Sequence, residues 1–182
     1  MIDEAVLEHA RDNLKRRTAA LNDVRIAKVV QRDFTFKEIK NGLARGGLND
    51  WIRPLLGQHQ RSAAIYRLTV NDQDGANRLR QAFLDRGSQN GNVFARNNNV
   101  ADSTTVYVGS SQKVGQRLQQ HLLTGPIGTY ALKMHLWCPY ADNFLSVEIS
   151  VLQGTAEPSL LQDVEDALWI TSRPMFGKFG AR

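Results

Sequence analysis

Two tyrosines, an arginine and a glutamate carry most of the chemistry this chain can offer. Tyr66 lies in "SAAIYRLTV" (residues 62–70), Tyr107 in "TTVYVG" (residues 104–109), and Glu165 in "EPSLLQDVEDALWITSRP". A phenol titrates near 10, so it needs a neighbouring cation or metal to act as a base at neutral pH. Lys113, Arg117 and His121 recur every four residues beside the apolar stripe Val114, Leu118 and Leu122. Such a basic ridge is either a solvated edge or one wall of a groove. Gly109 precedes this helix and lets the backbone approach a ligand closely, and a helix N-terminus favours phosphate. Glu165 falls within the apolar face Leu161, Val164 and Leu168. A carboxylate in that position must be protonated, paired with a base or bound to a cation. An arginine salt bridge would satisfy it. So would Mg²⁺, which is commonly held by one carboxylate together with waters and a substrate phosphate.

Several elements must position these groups. Residues 2–20 read as a weakly amphipathic helix (Ile2, Val6, Ala10, Leu14) capped by Asp3 and ending in Lys15-Arg16-Arg17. "VRIAKVV" is short and apolar and suits either helix or strand. Thr35 and Glu38 have capping-box spacing, which predicts a helix from Phe36 to about Arg45, stopped by Gly46-Gly47. "NDWIRPLLG" reads as a further helical piece with Pro54 in its first turn. Residues 62–70 alternate as a strand, and Leu79, Ala82 and Phe83 mark a helix that Gly87 ends. Residues 88–103 read as a mobile loop. "TTVYVG", "TYALKMHLW" and "FLSVEISVLQG" are strand candidates. Helices are expected over 112–124 and across "EPSLLQDVEDALWITSRP", the latter ending before Pro174. The expected fold is α/β, a small mainly antiparallel sheet flanked by helices. An N-terminal helical extension (1–60) would precede the domain (61–182).

Composition narrows the class. The chain has 182 residues, a formal net charge of +5 and 42% hydrophobic residues, which suits a globular domain with an anionic partner such as nucleic acid or a membrane surface. Cys138 is the only cysteine, which excludes an intrachain disulfide and a four-cysteine zinc site. Neither a signal peptide nor a membrane helix is expected, and a cytoplasmic protein is. Walker, HExxH and GxSxG patterns are absent. The four histidines, His9, His59, His121 and His135, lack metal-pair spacing.

Together these pieces resemble the GIY-YIG nuclease superfamily. Ala64-Ile65-Tyr66 resembles its first signature and Tyr107-Val108-Gly109 its second. An arginine ten residues beyond the second tyrosine falls on Arg117, and a histidine four residues later on His121. The family's metal-binding glutamate falls on Glu165, nine residues before Pro174 in "RPMFG". The resemblance spans about residues 62–180. Three departures stand out. Ala64 replaces the first glycine, residues 71–103 form an insertion between the tyrosines, and Gly177 stands where many members carry asparagine.

The resemblance implies a DNA endonuclease using one divalent metal, Mg²⁺ or Mn²⁺. Glu165 would hold the metal, Tyr66 would orient or deprotonate the attacking water with help from Tyr107, and Arg117 would stabilise charge on phosphorus. His121 would bond a tyrosine or the phosphate, while Gly109 and Lys113 would meet the DNA backbone. Specificity would come from outside the core, through Arg11, Lys15, Arg16 and Arg17 or through Arg78, Arg80, Arg86 and Arg96. Those residues otherwise form solvated surface or, on the N-terminal helix, a homodimer contact. A nucleic-acid-binding module of the same fold without catalysis, and a basic interaction protein, are the alternatives.

Overall fold

The computed structural model describes residues 2–43, 47–154 and 157–180. Helix α1 (Glu4–Asn22) is capped by Asp3, whose carboxylate accepts from the Val6 N–H at 3.0 Å. It leads into strand β1 (Ile26–Thr35), so "VRIAKVV" is largely strand. The segment expected to be a helical extension thus also supplies a sheet strand. Thr35 caps α2 (Phe36–Lys40) through the expected box: Glu38 N–H donates to Thr35 Oγ1 (3.1 Å) and Thr35 N–H to Glu38 Oε2 (2.7 Å). α2 stops at Lys40, ahead of Gly42 at φ +84°, so it is shorter than expected. Ala44, Arg45 and Gly46 lie outside the described residues. Gly47 opens α3 (Gly47–Leu56) instead of closing a helix, and Pro54 sits near the C-terminal end of α3 and not in its first turn.

Strand β2 (Ala64–Val70), helix α4 (Gln73–Asp85), strand β3 (Thr105–Ser111) and helix α5 (Val114–Leu122) follow as expected. "TYALKMHLW" is not a strand. Lys133 takes a left-handed conformation (φ +50°), which breaks any extended run, and Met134–Trp137 form the single turn α6. Strand β4 (Phe144–Leu152) and helix α7 (Pro158–Ser172) complete the chain, with Arg173 as a left-handed cap before Pro174.

The four strands form one antiparallel sheet in the order β1-β4-β2-β3. One face carries the main core, including Tyr66, Leu68, Val147 and Ile149, packed with residues of α2 to α6. The other face presents Ala63, Ile65 and Leu152 to Leu161, Val164 and Leu168 of α7. β3 is an edge strand with helices on both faces, and its Thr105 and Val106 carbonyls accept from the Met175 and Phe176 N–H groups (2.8 and 3.0 Å). Among the described residues, no helix is long and apolar enough to cross a membrane.

Residues 88–103 are not loose. Val93 and Ala95 N–H groups donate to the Ile127 and Ala131 carbonyls (both 2.9 Å), and Asn98 N–H donates to Met175 O (2.8 Å). Buried Lys133 closes the same region: its Nζ donates to Asn92 Oδ1 (2.8 Å), Pro126 O (3.0 Å) and Ile127 O (2.8 Å).

Candidate active site

Pairing of β2 with β3 sets Tyr66 opposite Gly109 and Leu68 opposite Tyr107. Tyr66 and Tyr107 are thus diagonal neighbours on one face. Their rings stack at 6.2 Å with an interplanar angle of 12°. Gly109 is required here because a Cβ would stand 2.6 Å from Tyr66 Cζ and 2.9 Å from Tyr107 Cε1. The space its missing side chain frees is filled by the Tyr66 phenol, and Gly109 lies within β3, not in a turn. Alternation along β3 turns Ser110 to the opposite face, towards α7, where its Oγ donates to Glu165 Oε2 at 2.5 Å.

α5 supplies the third side. Val114, Leu118 and Leu122 bury as expected. A four-residue step advances about 40° beyond a full turn of helix, so the basic ridge does not stay on one edge. Lys113 is exposed at the N-terminal end, Arg117 is half-buried, and His121 is carried wholly into the core. Arg117 Nη1 donates to Gln120 Oε1 (2.6 Å) and Nη2 to Tyr130 O (3.2 Å). His121 Nδ1 accepts from the Leu132 N–H (3.2 Å), which leaves the ring proton on Nε2, 3.1 Å from the Tyr66 oxygen. His121 therefore donates to Tyr66, and the phenol's own proton is free for another acceptor.

These groups meet in an open cleft of about 300 Å³ over the edge of β3, lined by Tyr66, Tyr107, Gly109, Arg117 and Glu165, and also by Ser110, Tyr130, Gln162 and Lys178. The last four went unnoticed in the sequence. Ser110 and Gln162 carry a readable signal, since one follows the second tyrosine signature and the other lies three residues before Glu165. Tyr130 and Lys178 have none. Lys113 does not join the cleft and lines a separate depression.

Electrostatics follow from burial. Tyr66 is 1% exposed, and desolvation drives its pKa far above the ordinary phenol value despite the neighbouring Arg117 charge. Tyr107 is pushed up to about 12, also chiefly by burial. His121 is held well below 6.5 by burial and by the Arg117 charge. Both phenols and the imidazole are therefore neutral at pH 7. Burial of Arg117 works against its charge, yet the Tyr66 and Tyr107 oxygens more than offset this and its pKa is raised. Glu165 is raised by burial; the Ser110 hydrogen bond opposes this, Asp166 adds to it and Arg117 opposes it.

Glu165 has no cationic side chain in ion-pair reach among the described residues. Asp163 and Asp166 are engaged elsewhere, the first by Arg17 and the second by Gln162 Nε2 (2.7 Å) and the Gly180 N–H (3.2 Å). Among the described residues no cluster of three His, Cys, Asp or Glu side chains occurs. One half-buried, unpaired carboxylate opening on a wet cleft fits a Mg²⁺ that keeps several waters, and does not fit a closed zinc-type site.

Gly177 lies against Tyr107 at φ +121°, and its N–H donates to Arg96 O (2.9 Å). An added Cβ would stand 3.2 Å from Tyr107 Cε2. Only glycine adopts this backbone freely. Comparison with family models, with curated proteins and with solved structures finds no match.

Proposed function

We propose that this protein is a metal-dependent DNA endonuclease of the GIY-YIG type. The observation that carries this reading is the convergence of Tyr66, Tyr107, Arg117 and Glu165, from four separate elements, on one cleft. A cleft pairing a half-buried guanidinium with an unpaired carboxylate is built for a substrate that brings its own negative charge. Arg117, fixed by Gln120 and the Tyr130 carbonyl, donates to the phosphoryl oxygens as charge grows on them. Tyr66 is neutral and receives the His121 proton in a hydrogen bond, so it orients the attacking water and does not deprotonate it. The proton that water loses passes to solvent in the open cleft, and solvent returns one to the leaving 3′-oxygen. Tyr107, stacked on Tyr66, holds that phenol in place and closes one wall against solvent. Glu165 would hold the divalent cation, which when bound supplies Lewis-acid stabilisation of the leaving 3′-oxygen. Ser110 fixes the rotamer of that carboxylate.

Incubation with plasmid DNA in Mg²⁺, Mn²⁺ or EDTA tests the reading. Nicking should require metal, and Glu165→Ala should lower it by at least about 10³-fold while leaving the thermal transition cooperative. Undiminished cleavage by Glu165→Ala overturns the assignment.

A catalytically silent DNA-binding module is the second reading, favoured by Gly177, which leaves no polar side chain beside Tyr107 where the family pattern has an amide. Salt-sensitive binding with no cleavage in any metal selects it.

A further inference from the structure

α3 and α5 pack closely at Gly115, where an added Cβ would stand 3.4 Å from Ile52 Cγ2. Beside this crossing lies a second depression of about 390 Å³ that shares no lining residue with the tyrosine cleft. Its cations come from three places: Arg53 on α3, Arg61 in the turn before β2, and Lys113 at the start of α5. The amide side chains of Gln60, Gln116 and Gln119 stand among them, and among the described residues no carboxylate lines the depression.

All three cations are exposed, and none is ion-paired among the described residues. The arginines and lysine of α1 and α4 singled out from the sequence mostly behave otherwise. Arg11 pairs with Glu4, Lys15 with Asp12, Arg17 with Asp163 and Arg78 with Asp74. Arg80 bonds the Val100 carbonyl, and the Arg86 guanidinium lies over the Phe83 ring at 3.6 Å. Uncompensated positive charge is thus present beside α5, as it also is at Lys28 and Arg32 on β1 and at Arg96 and Lys178. Arg117 in the cleft and Lys113 in the depression are one turn apart on α5, roughly 6 Å along its axis. A polyanion leaving the cleft along α5 meets Lys113 and the two arginines next.

We infer that the depression between α3 and α5 is a second phosphodiester subsite, gripping the DNA backbone beyond the nucleotide in the tyrosine cleft. This rests on the nuclease reading above. Guanidinium groups and amides present planar donors suited to phosphate oxygens. The subsite holds and orients the strand through its backbone.

The test is equilibrium binding of a short labelled DNA duplex in EDTA, where no hydrolysis interferes, at a series of salt concentrations. The double variant Arg53→Gln/Arg61→Gln should bind about tenfold more weakly and show a log K against log[salt] slope smaller by about two. Arg53→Lys/Arg61→Lys keeps both charges and should retain the wild-type slope. Wild-type affinity and slope in the glutamine variant overturn the inference, whatever the cleavage assay shows. Binding by the wild type without cleavage, weakened in the glutamine variant, upholds the subsite and overturns hydrolysis alone. Failure of the wild type to bind DNA overturns both.

Discussion

Burial of Glu165, to which the Asp166 charge adds, works against its ionised form despite the Ser110 hydrogen bond, and the consequence can be measured without DNA. A carboxyl whose pKa is higher in the folded than in the unfolded chain loses stabilising influence as pH rises through its folded value. Glu165→Gln in EDTA should therefore melt at a higher temperature than wild type at pH 7. The gap should close as pH falls towards the ordinary carboxyl value of about 4.3. His121 titrates in the same range with the opposite sign, since its depressed pKa removes stability as pH falls below about 6.5. It is common to both proteins and cancels in the difference. Added Mg²⁺ should raise the melting temperature of wild type and not of Glu165→Gln, and equal shifts in the two would remove Glu165 as the ligand. Gly109→Ala probes the phenols, because its methyl group cannot coexist with Tyr66 where it stands. Cleavage should drop by about 10²-fold and stability by about 1–3 kcal/mol. Tyr66, Tyr107, Arg117 and Glu165 were legible because each sits in a strongly periodic element. The proton arrangement was not. It depends on the Leu132 N–H, which reaches His121 only through the fold.

At the scale of elements, the strands β2, β3 and β4 and the stripe of α5 were readable from apolar alternation and four-residue spacing. "TYALKMHLW" alternates as well, and there the same reasoning fails for a physical reason. Ala131, Leu132, Lys133 and Met134 are all wholly buried, so the segment is enclosed on every side, and its pairing is one isolated bridge, Ala131 to Phe94, too little to demand extension. Its anchor is the Lys133 ammonium, caged by an asparagine side chain and two carbonyls. Asn92 is forty-one residues away in sequence, beyond the reach of any local pattern. That cage also ties residues 88–103 to the segment carrying Tyr130, whose carbonyl fixes Arg117 and whose hydroxyl accepts from the Arg96 N–H (2.6 Å). Lys133→Met should remove a donor from three oxygens, of which Asn92 Oδ1 keeps no other among the described residues, and lower stability by about 1–3 kcal/mol, read by denaturant titration. It should also speed proteolysis within residues 88–103 and lower cleavage through Arg117. A variant as stable and as protease-resistant as wild type would show that the cage holds nothing in place.

For the whole molecule, the division that matters within residues 1–60 falls between α1 and β1. α1 buries none of its residues and leaves Val6, Leu7, Leu14 and Leu21 exposed, as is Ile2 before its cap. Its tie to the body includes the Arg17–Asp163 pair, each side chain about a third exposed (33% and 32%), a class of contact that contributes about 1 kcal/mol at most. β1 differs in kind. It is paired with β4 from Ile26 to Thr35, buries Val30 and Phe34, and sets Phe34 edge-on to Trp51 at 5.6 Å. Removing it would expose the backbone of β4 and open the main core to water. Deleting residues 1–22 should therefore leave a cooperative thermal transition within a few degrees of wild type, with metal-dependent cleavage retained. Deleting residues 1–35 should abolish the cooperative transition and bind a hydrophobic dye. A cooperative transition in the longer deletion would show that β2, β3 and β4 suffice as a sheet. Loss of cleavage in the shorter one, with its fold intact, would make α1 part of the substrate-binding surface.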